Sequence, residues 1–241
     1  MNTWFEQGHV AIVTGGSRGL GKAVARELLA LGIRTIIDGR DADALESAAR
    51  ELRRYGEVTA LAGDVTSKHH VHALIAAARS LGRLDLLVNN ASTLGSVPLP
   101  RVDELTQQTF KELFDTNVFA PIHLMQHALP LMRASGGPGT IVNLTSDAAV
   151  EAYPGWGGYG SSKAALEHVS RVAAAELEGS PVRVLVADPG DMNTQMHRDA
   201  IPDADPSQLR DPADSARALL QAIADMKAPY ERVRLAELVT A

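Results

Sequence analysis

The chain has 241 residues, of which 45% are hydrophobic, and it carries a formal net charge of −6. This length predicts one domain with a substantial core, and the acidic balance argues against nucleic acid or an anionic membrane as a partner. The absence of cysteine excludes disulfides, thiol nucleophiles and thiolate metal sites, and it fits a reducing compartment such as the cytoplasm. Segment 1–8 has no signal-like apolar core, and no apolar run approaches the roughly 20 residues of a membrane span.

The first predicted strand is the apolar, β-branched run 10–13, which has the composition of a buried parallel strand. A glycine-rich turn over residues 14–21 follows directly, and apolar residues then recur at helical spacing until Gly32. This order of strand, glycine turn and helix allows backbone amides to approach a pyrophosphate at a helix N-terminus. A merely tight turn is the alternative, but the strand and the helix flank the turn as nucleotide binding requires.

Strands and helices alternate along the rest of the chain. Further strands are predicted near residues 35–37, 58–61, 84–88, 140–144, 182–187 and 233, and helices near 42–55, 66–81, 104–134, 159–178 and 213–226. The alternation predicts an α/β fold with a parallel sheet covered on both faces, whose ligand lies beyond the carboxyl ends of the strands. The glycine turn, residues 38–40, Asp64 and residues 89–92 are all expected at those ends.

Tyr159 and Lys163 are four residues apart at the start of a predicted helix, so their side chains share one face. An ammonium beside a phenol favours the phenolate and would lower the pKa of Tyr159 from its usual value of about 10. Such a phenol suits proton transfer near neutral pH. On spacing alone, a solvated helix face is the more common explanation.

Two further polar residues are candidates for the same site. Asn117 lies inside the long helical region, where asparagine is unfavourable because its side chain competes for backbone hydrogen bonds. Ser146 follows the strand predicted at residues 140–144 and would lie at the carboxyl edge of the sheet. Taken singly, Asn117 reads as a solvent-facing residue and Ser146 as a hydroxyl that caps a turn.

Together these motifs resemble, in order and spacing, those of the short-chain dehydrogenase/reductase family. The similar segments are Thr14-Gly15-Gly16-Ser17-Arg18-Gly19-Leu20-Gly21, Asp64-Val65, Asn89-Asn90-Ala91-Ser92, the series Asn117, Ser146, Tyr159 and Lys163, and Pro189-Gly190 with Thr194. Ser92 stands where the family usually has glycine. The resemblance implies a single doubly wound Rossmann-type domain over residues 1–241, with a mostly parallel seven-stranded sheet.

The family also implies a role for each matched residue. Tyr159 would act as the general acid or base, Ser146 would position the substrate oxygen, and Lys163 would hold the nicotinamide ribose. Asn117 would interrupt its helix and help to hold a water that relays protons to Lys163. The implied cofactor-binding residues are Gly15, Ser17, Arg18, Gly19, Leu20, Gly21, Arg40, Asp64, Val65, Asn90, Ala91, Tyr159, Lys163, Pro189, Gly190 and Thr194.

The choice of cofactor depends on whether Asp38 or the next residue, Gly39, lies at the position that contacts the ribose 2′-group. Asp38 lies near the distance at which a carboxylate binds the ribose 2′-hydroxyl of NAD and repels the 2′-phosphate of NADP. In the family alignment, the acidic position corresponds to Gly39, which has no charge and leaves room for a phosphate. Arg40 follows, where NADP-preferring members often carry arginine, and Arg18 can reach the same phosphate. The sequence therefore favours NADP(H), with NAD(H) as the alternative.

The substrate is predicted only as a class. Residues 93–97, 147–156 and 191–200 are expected to line its pocket. Tyr153, Trp156, Met192 and Met196 would make that pocket apolar, which indicates a hydrophobic or aromatic carbonyl or alcohol. Segment 191–206 carries few element signals and is expected to be a mobile substrate loop.

Two other functions, a dinucleotide-binding regulator and a hydrolase, can be weighed against the enzyme, and the resemblance also implies an oligomeric state. A dinucleotide-binding regulator without turnover is the alternative function, although a regulator needs the glycines and not a proton donor. No Gly-x-Ser-x-Gly elbow surrounds Ser146, which argues against a hydrolase. The resemblance implies a homodimer or homotetramer in which the helices of Asn117 and Tyr159 pair across a two-fold axis. The Asp-Gly-Gly ending common in tetrameric members is missing.

Histidines are grouped at two places. His69, His70 and His72 lie at a helix start, and His123 and His127 are four residues apart on another predicted helix. Neither group has an identifiable third ligand in the sequence, so no metal site is predicted.

Overall fold

A seven-stranded sheet forms the centre of the computed structural model, which describes residues 5–238. The strands are β1 (Val10–Val13), β2 (Arg34–Gly39), β3 (Val58–Ala62), β4 (Leu86–Asn89), β5 (Gly139–Leu144), β6 (Val182–Asp188) and β7 (Tyr230–Arg234). They are ordered β3-β2-β1-β4-β5-β6-β7, and every neighbouring pair is parallel. The sequence predicted a mostly parallel sheet, and the sheet is parallel throughout.

The part of the chain that the structure describes contains eight α-helices, six of which cover the two faces of the sheet. They are α1 (Gly19–Ala30), α2 (Ala42–Leu52), α3 (Lys68–Ser80), α4 (Gln107–Phe114), α5 (Ala120–Ala134), α6 (Gly157–Glu176), α7 (Gln195–Ala200) and α8 (Pro212–Asp225). One apolar cluster joins the sheet to α1, α2 and α8, and a second joins it to α3, α5 and α6. The central strands are buried on both faces, which explains their continuous apolar runs.

The strand order reverses direction at β1, which pairs with β2 on one side and β4 on the other. The chain moves outward from β1 to β3 and then crosses back to β4, so a crevice opens beyond the carboxyl ends of β1 and β4. The glycine turn after β1 and the polar residues after β4 therefore face one another. This switch point positions the candidate site.

The long helix predicted over residues 104–134 is wrong in detail. Helices α4 and α5 are separated by a π-helical segment, Asp115–Phe119, which contains Asn117. Single π-helical turns inside α-helices are rare and are frequently found at functional sites. The segment turns the Asn117 side chain into the interior, where it is fully buried, so the solvent-facing alternative does not hold.

Two other boundaries also differ from the sequence prediction. Helix α6 begins at Gly157 rather than Tyr159, so that Tyr159 lies inside its first turn. The predicted substrate loop contains helix α7, which begins after Thr194 accepts a hydrogen bond from the backbone N–H of His197. Within residues 5–238, no helix combines the length and apolarity needed to cross a membrane.

Candidate active site

The glycine turn after β1 has a shape that side chains would prevent. Gly15 and Gly19 have φ values of +67° and +54°, which favour glycine. A Cβ at Gly21 would lie 2.3 Å from the Gly15 carbonyl oxygen, so α1 packs directly on the turn. Helix α1 begins at Gly19 with no side-chain cap and no acidic residue in its first turn. Its first N–H groups are therefore suited to a phosphate.

Asn90 and Thr14 hold this turn against the end of β4. The Asn90 amide donates to the carbonyl oxygens of Thr14 at 2.7 Å and Gly15 at 3.3 Å. The Thr14 hydroxyl accepts from the backbone N–H groups of Asn90 and Ala91, both at 3.0 Å. The sequence predicted Asn90 as a cofactor contact, and the structure shows that its side chain supports the glycine turn.

Asp38 is buried, and each of its carboxylate oxygens has a partner inside the protein. One carboxylate oxygen accepts from the Gly15 N–H at 2.7 Å, and the other lies 3.0 Å from Nε2 of the buried His70. The sequence singled out Asp38 as a candidate for the ribose of NAD and did not connect it with His70. Only the folded chain brings α3 close enough to β2 to form this pair.

The residues after Asp38 leave the adenosine end of the cleft open and positive. Gly39 lies beside Ser17, whose Oγ would be 3.2 Å from a Cβ added at Gly39. Arg18 and Arg40 are exposed and line the cleft, and their side chains make no hydrogen bond or ion pair within residues 5–238. Their guanidinium groups are therefore free to meet an anionic ligand.

The remaining predicted cofactor residues surround the same cleft, which has a volume of about 1170 Å³. Its lining includes Ser17, Leu20, Asp64, Val65, Ala91, Tyr159, Lys163, Pro189, Gly190 and Thr194. Asp64 accepts 2.8 Å hydrogen bonds from the backbone and hydroxyl of Thr66, which holds its turn. The structure thus brings the residues that the sequence assigned to the cofactor to one cleft, except Gly21, which packs against the glycine turn behind it.

Tyr159 and Lys163 lie side by side on α6, as their spacing predicts. The Lys163 Nζ is 5.5 Å from the centroid of the Tyr159 ring and donates to the Leu144 carbonyl oxygen at 2.9 Å. Both residues are buried. Burial lowers the pKa of Lys163 to about 8.

The prediction that the pKa of Tyr159 is lowered is wrong. Burial raises the pKa of Tyr159 above its usual value, and the carboxylates of Asp188 and Asp147 raise it further. A hydrogen bond with the Ser92 side chain acts in the opposite direction but is smaller than the effect of burial. The sequence suggested Lys163 as the dominant influence because spacing reveals the neighbour and not the loss of solvent.

Ser92, the residue that departs from the family motif, links Tyr159 to Asn117. Its Oγ donates to Asn117 Oδ1 at 3.0 Å, and the same side chain is near enough to the Tyr159 hydroxyl to lower the pKa of that hydroxyl. Asn117 Oδ1 also accepts from the Thr93 N–H at 2.9 Å, and Asn117 Nδ2 donates to the Thr93 carbonyl oxygen and Ser162 Oγ, both at 3.0 Å. The Asn117 side chain is therefore saturated and fixes the loop after β4.

Ser146 faces the cleft, but its hydroxyl is engaged by the neighbouring turn. Its Oγ donates to Asp147 at 2.9 Å and accepts from the Ala148 N–H at 3.2 Å. Ser146 therefore caps a short 3₁₀ turn, Asp147–Ala149, which is the role that the sequence suggested when Ser146 was considered alone. Rotation of the hydroxyl away from Asp147 is needed before Ser146 can donate to a ligand.

The apolar side of the cleft surrounds Tyr159. Trp156 packs edge-on against the Tyr159 ring at 5.6 Å between centroids, and Met196 of α7 joins the same cluster. Met192 also lines the cleft. Tyr153, predicted to lie in this pocket, is instead exposed outside the lining, and its hydroxyl donates to Asp147 at 3.0 Å.

The histidine groups are arranged differently from the sequence prediction. His70 points inward to Asp38, whereas His72 lies beside His123 and His127, so a third histidine joins the pair on α5. These three histidines are outside the cleft lining.

A doubly wound parallel sheet with a glycine turn at its switch point defines the class of dinucleotide-binding α/β proteins. Residues 9–205 match the family model described as short chain dehydrogenase. The chain belongs to the short-chain dehydrogenase/reductase family, and it is an oxidoreductase whose cofactor is a nicotinamide dinucleotide.

Relatives and solved structures agree with this assignment. The chain is 38% identical over 196 residues to the rhamnolipids biosynthesis 3-oxoacyl-(acyl-carrier-protein) reductase of Pseudomonas aeruginosa, which covers 79% of this chain and 75% of that protein. It is 34% identical to the 1-deoxy-11-beta-hydroxypentalenate dehydrogenase of Streptomyces avermitilis, over 80% of this chain and 72% of that protein. A structure of 7α-hydroxysteroid dehydrogenase complexed with NADH and 7-oxo glycochenodeoxycholic acid superposes with a TM-score of 0.86 at 29% identity, covering 97% of this chain and 94% of that chain.

Proposed function

We propose that this protein is an NADP(H)-dependent oxidoreductase that interconverts a carbonyl and an alcohol on a hydrophobic small molecule, with Tyr159 as general acid and base. The observation that carries the proposal is the position of Tyr159. Its buried phenol lies beside Lys163 in a cleft that also contains the glycine turn and Ser146. A nicotinamide cofactor in this cleft would supply or accept the hydride.

The protein's own groups would manage the proton and the developing charge. In the reducing direction, the substrate oxygen gains negative charge and Tyr159 donates its hydroxyl proton to that oxygen. Ser146 turns its hydroxyl from Asp147 toward the same oxygen and stabilises the charge. Ser92 would donate to the Tyr159 phenolate that remains by turning its one hydroxyl proton away from Asn117 Oδ1. Lys163 would hold the ribose, and Asn117 keeps Ser92 in place.

The preference for NADP(H) is supported by the residues at the end of β2. Asp38 lines the cleft, but its two carboxylate oxygens already contact Gly15 and His70, so this carboxylate would not be free to bind the ribose 2′-hydroxyl. Gly39 contributes no charge, whereas Arg18 and Arg40 present two guanidinium groups. A dianionic phosphate would gain charge-assisted hydrogen bonds there. The hydroxysteroid dehydrogenase structure contains NADH, so the family membership alone does not decide the cofactor.

The hydrophobic substrate class is supported by the apolar cluster around Tyr159. Trp156, Met192 and Met196 provide adaptable apolar surface next to the reacting hydroxyl. Helix α7 carries Met196 into this cluster, so segment 191–206 would act as the substrate lid. The names of the relatives describe acyl and polycyclic substrates, which are compatible with such a surface.

A homo-oligomer is also proposed, with a second copy covering α4, α5 and α6. Phe110, Phe114 and Phe119 stack along the α4–α5 region, with Phe110 and Phe119 exposed. Exposed aromatic residues grouped in this way favour a protein partner. Sedimentation as a dimer or tetramer at micromolar concentration is expected, and a monomer would contradict the proposal.

The test compares Tyr159→Phe with Tyr230→Phe. Purified protein is offered NADPH or NADH with a panel of hydrophobic ketones, aldehydes and small charged keto acids, and absorbance of the reduced cofactor is followed. Tyr159→Phe should abolish turnover while cofactor affinity stays nearly unchanged, because only the proton donor is lost. Tyr230→Phe removes a hydroxyl on β7 outside the cleft and should remain active.

Three results would contradict the proposal. Cofactor binding without turnover across a broad panel would favour a regulatory protein. Turnover of charged keto acids alone would reject the hydrophobic substrate class. An active Tyr159→Phe variant would reject the assigned proton donor.

A further inference from the structure

A group of three histidines lies on the outer surface of the α3 and α5 layer. His123 and His127 are separated by one turn of α5, and their Nε2 atoms are 3.0 Å apart. His72 of α3 completes the group, with its ring centroid 4.7 Å from that of His127. One ligand nitrogen from each of the three residues can be chosen so that all lie within 4.8 Å of one another.

These separations approach those of a metal site. Zn–N distances of about 2.0–2.1 Å in a tetrahedral site place the ligand nitrogens about 3.3 Å apart. The Nε2 atoms of the two α5 histidines are slightly closer together than this. The ligand nitrogen of His72 would have to move toward them by about an ångström to reach the separation of a tetrahedral site. His72 is exposed, so its ring can make that movement without displacing packed neighbours.

The chemistry of the ligands selects the class of cation. Three imidazoles suit zinc and neighbouring transition metals, whereas calcium and magnesium prefer oxygen ligands. The group contains no carboxylate, so a tetrahedral cation would keep its fourth position for water. Because the ligands come from two helices that pack on the same apolar cluster, a bound cation would connect α3 to α5.

We propose that His72, His123 and His127 form a binding site for a divalent transition metal of the zinc class, which bridges α3 and α5 away from the catalytic cleft. The site serves stability, because metal that binds only the folded protein shifts unfolding to higher temperature. It is independent of the proposed reaction, since none of the three residues lines the cleft.

The experiment uses tag-free protein treated with a chelator and then dialysed. Co²⁺ is titrated while its visible d–d absorption is recorded, Zn²⁺ is added as a competitor, and the Tm is measured with and without Zn²⁺. The wild type should bind one equivalent with the intense absorption of tetrahedral Co²⁺, and Zn²⁺ should remove this signal. Zn²⁺ should also raise the Tm by several degrees.

Variants separate this site from adventitious binding. His72→Gln and His127→Gln should each weaken binding by at least about tenfold, because even the partners of metal ligands contribute about 10–100-fold. His69→Gln is the matched control, since His69 is exposed on α3 and lies outside the group. It should bind as the wild type does.

Several outcomes would overturn the proposal: no saturable equivalent in the wild type, unchanged affinity in His72→Gln, or loss of binding in His69→Gln. Metal-free Tm values establish that each variant is folded. His72 is exposed, so its variant decides the question if His127→Gln does not fold.

Discussion

Replacement of Lys163 by Met should raise the free energy of unfolding relative to the wild type. The gain should be larger at neutral pH than at alkaline pH. Lys163 is buried, and its Nζ donates a hydrogen bond to the Leu144 carbonyl oxygen at 2.9 Å but has no ion pair within residues 5–238. Burial lowers its pKa from 10.5 to about 8, so the folded protein holds the charged form at a cost. Methionine has a similar length and removes this charge while it keeps most of the packing.

The pKa shift sets both the sign and the size of the effect. Between pH 8 and 10.5 the unfolded chain keeps the Lys163 proton that the folded chain has lost, so wild-type stability rises with pH. The penalty from Lys163 is largest below pH 8, at roughly 3 kcal/mol, and disappears above pH 10.5. The stability of Lys163→Met relative to the wild type should therefore fall by roughly 2 kcal/mol between pH 7 and pH 10.

Urea unfolding at pH 7, 8, 9 and 10, followed by circular dichroism, measures this difference at each pH. Lys68→Met is the control, because Lys68 is exposed on α3 and its replacement should give a difference that hardly changes with pH. A pH-independent difference for Lys163→Met would refute the assignment of a buried, destabilising charge. A stability difference that increases with pH would mean that the Lys163 charge stabilises the fold, which is the opposite of the prediction.

Three further predictions concern the cleft. Ser92→Gly should raise the pH at which proton transfer by Tyr159 becomes limiting, since a hydrogen bond that lowers the Tyr159 pKa is lost; an unchanged pH profile of kcat/KM would contradict this. Arg40→Ala should weaken NADPH binding by about 5–30-fold in a fluorescence titration and leave NADH binding unchanged, and equal losses would contradict a phosphate contact. Gly39→Asp should weaken NADPH binding more than Gly39→Ala, because both variants add a Cβ near Ser17 but only the carboxylate repels a phosphate.

The sequence predicted what depends on local pattern. The order of strands and helices followed from apolar runs and glycine positions, and the single-domain fold with seven parallel strands is confirmed. The shared face of Tyr159 and Lys163 followed from helical spacing, and their 5.5 Å contact agrees with it. Such features need only residues that are close along the chain.

Features that depend on long-range packing could not be predicted in the same way. The contact of Asp38 with His70 joins β2 to α3, and no periodic signal connects two residues 32 positions apart. The π-helical segment at Asn117 depends on partners in the loop after β4 and on Ser162 of α6. The group formed by His72 on α3 and two α5 histidines became visible only when these helices were packed together.

The pKa values of Tyr159 and Lys163 combine into one argument about the site. Burial disfavours both charges, so a lysine near a buried tyrosine is not enough to make a ready phenolate. With a pKa of about 8, Lys163 remains mostly protonated at pH 7, where a positive charge 5.5 Å from the Tyr159 ring would favour the phenolate, and it loses that charge as the pH rises. The Ser92 hydroxyl carries no such charge and supports the phenolate on both sides of this transition. We therefore expect Ser92→Gly to impair proton transfer most above pH 8, where Lys163 no longer compensates; an equal loss at pH 7 and pH 9 would show that the two groups do not share this role.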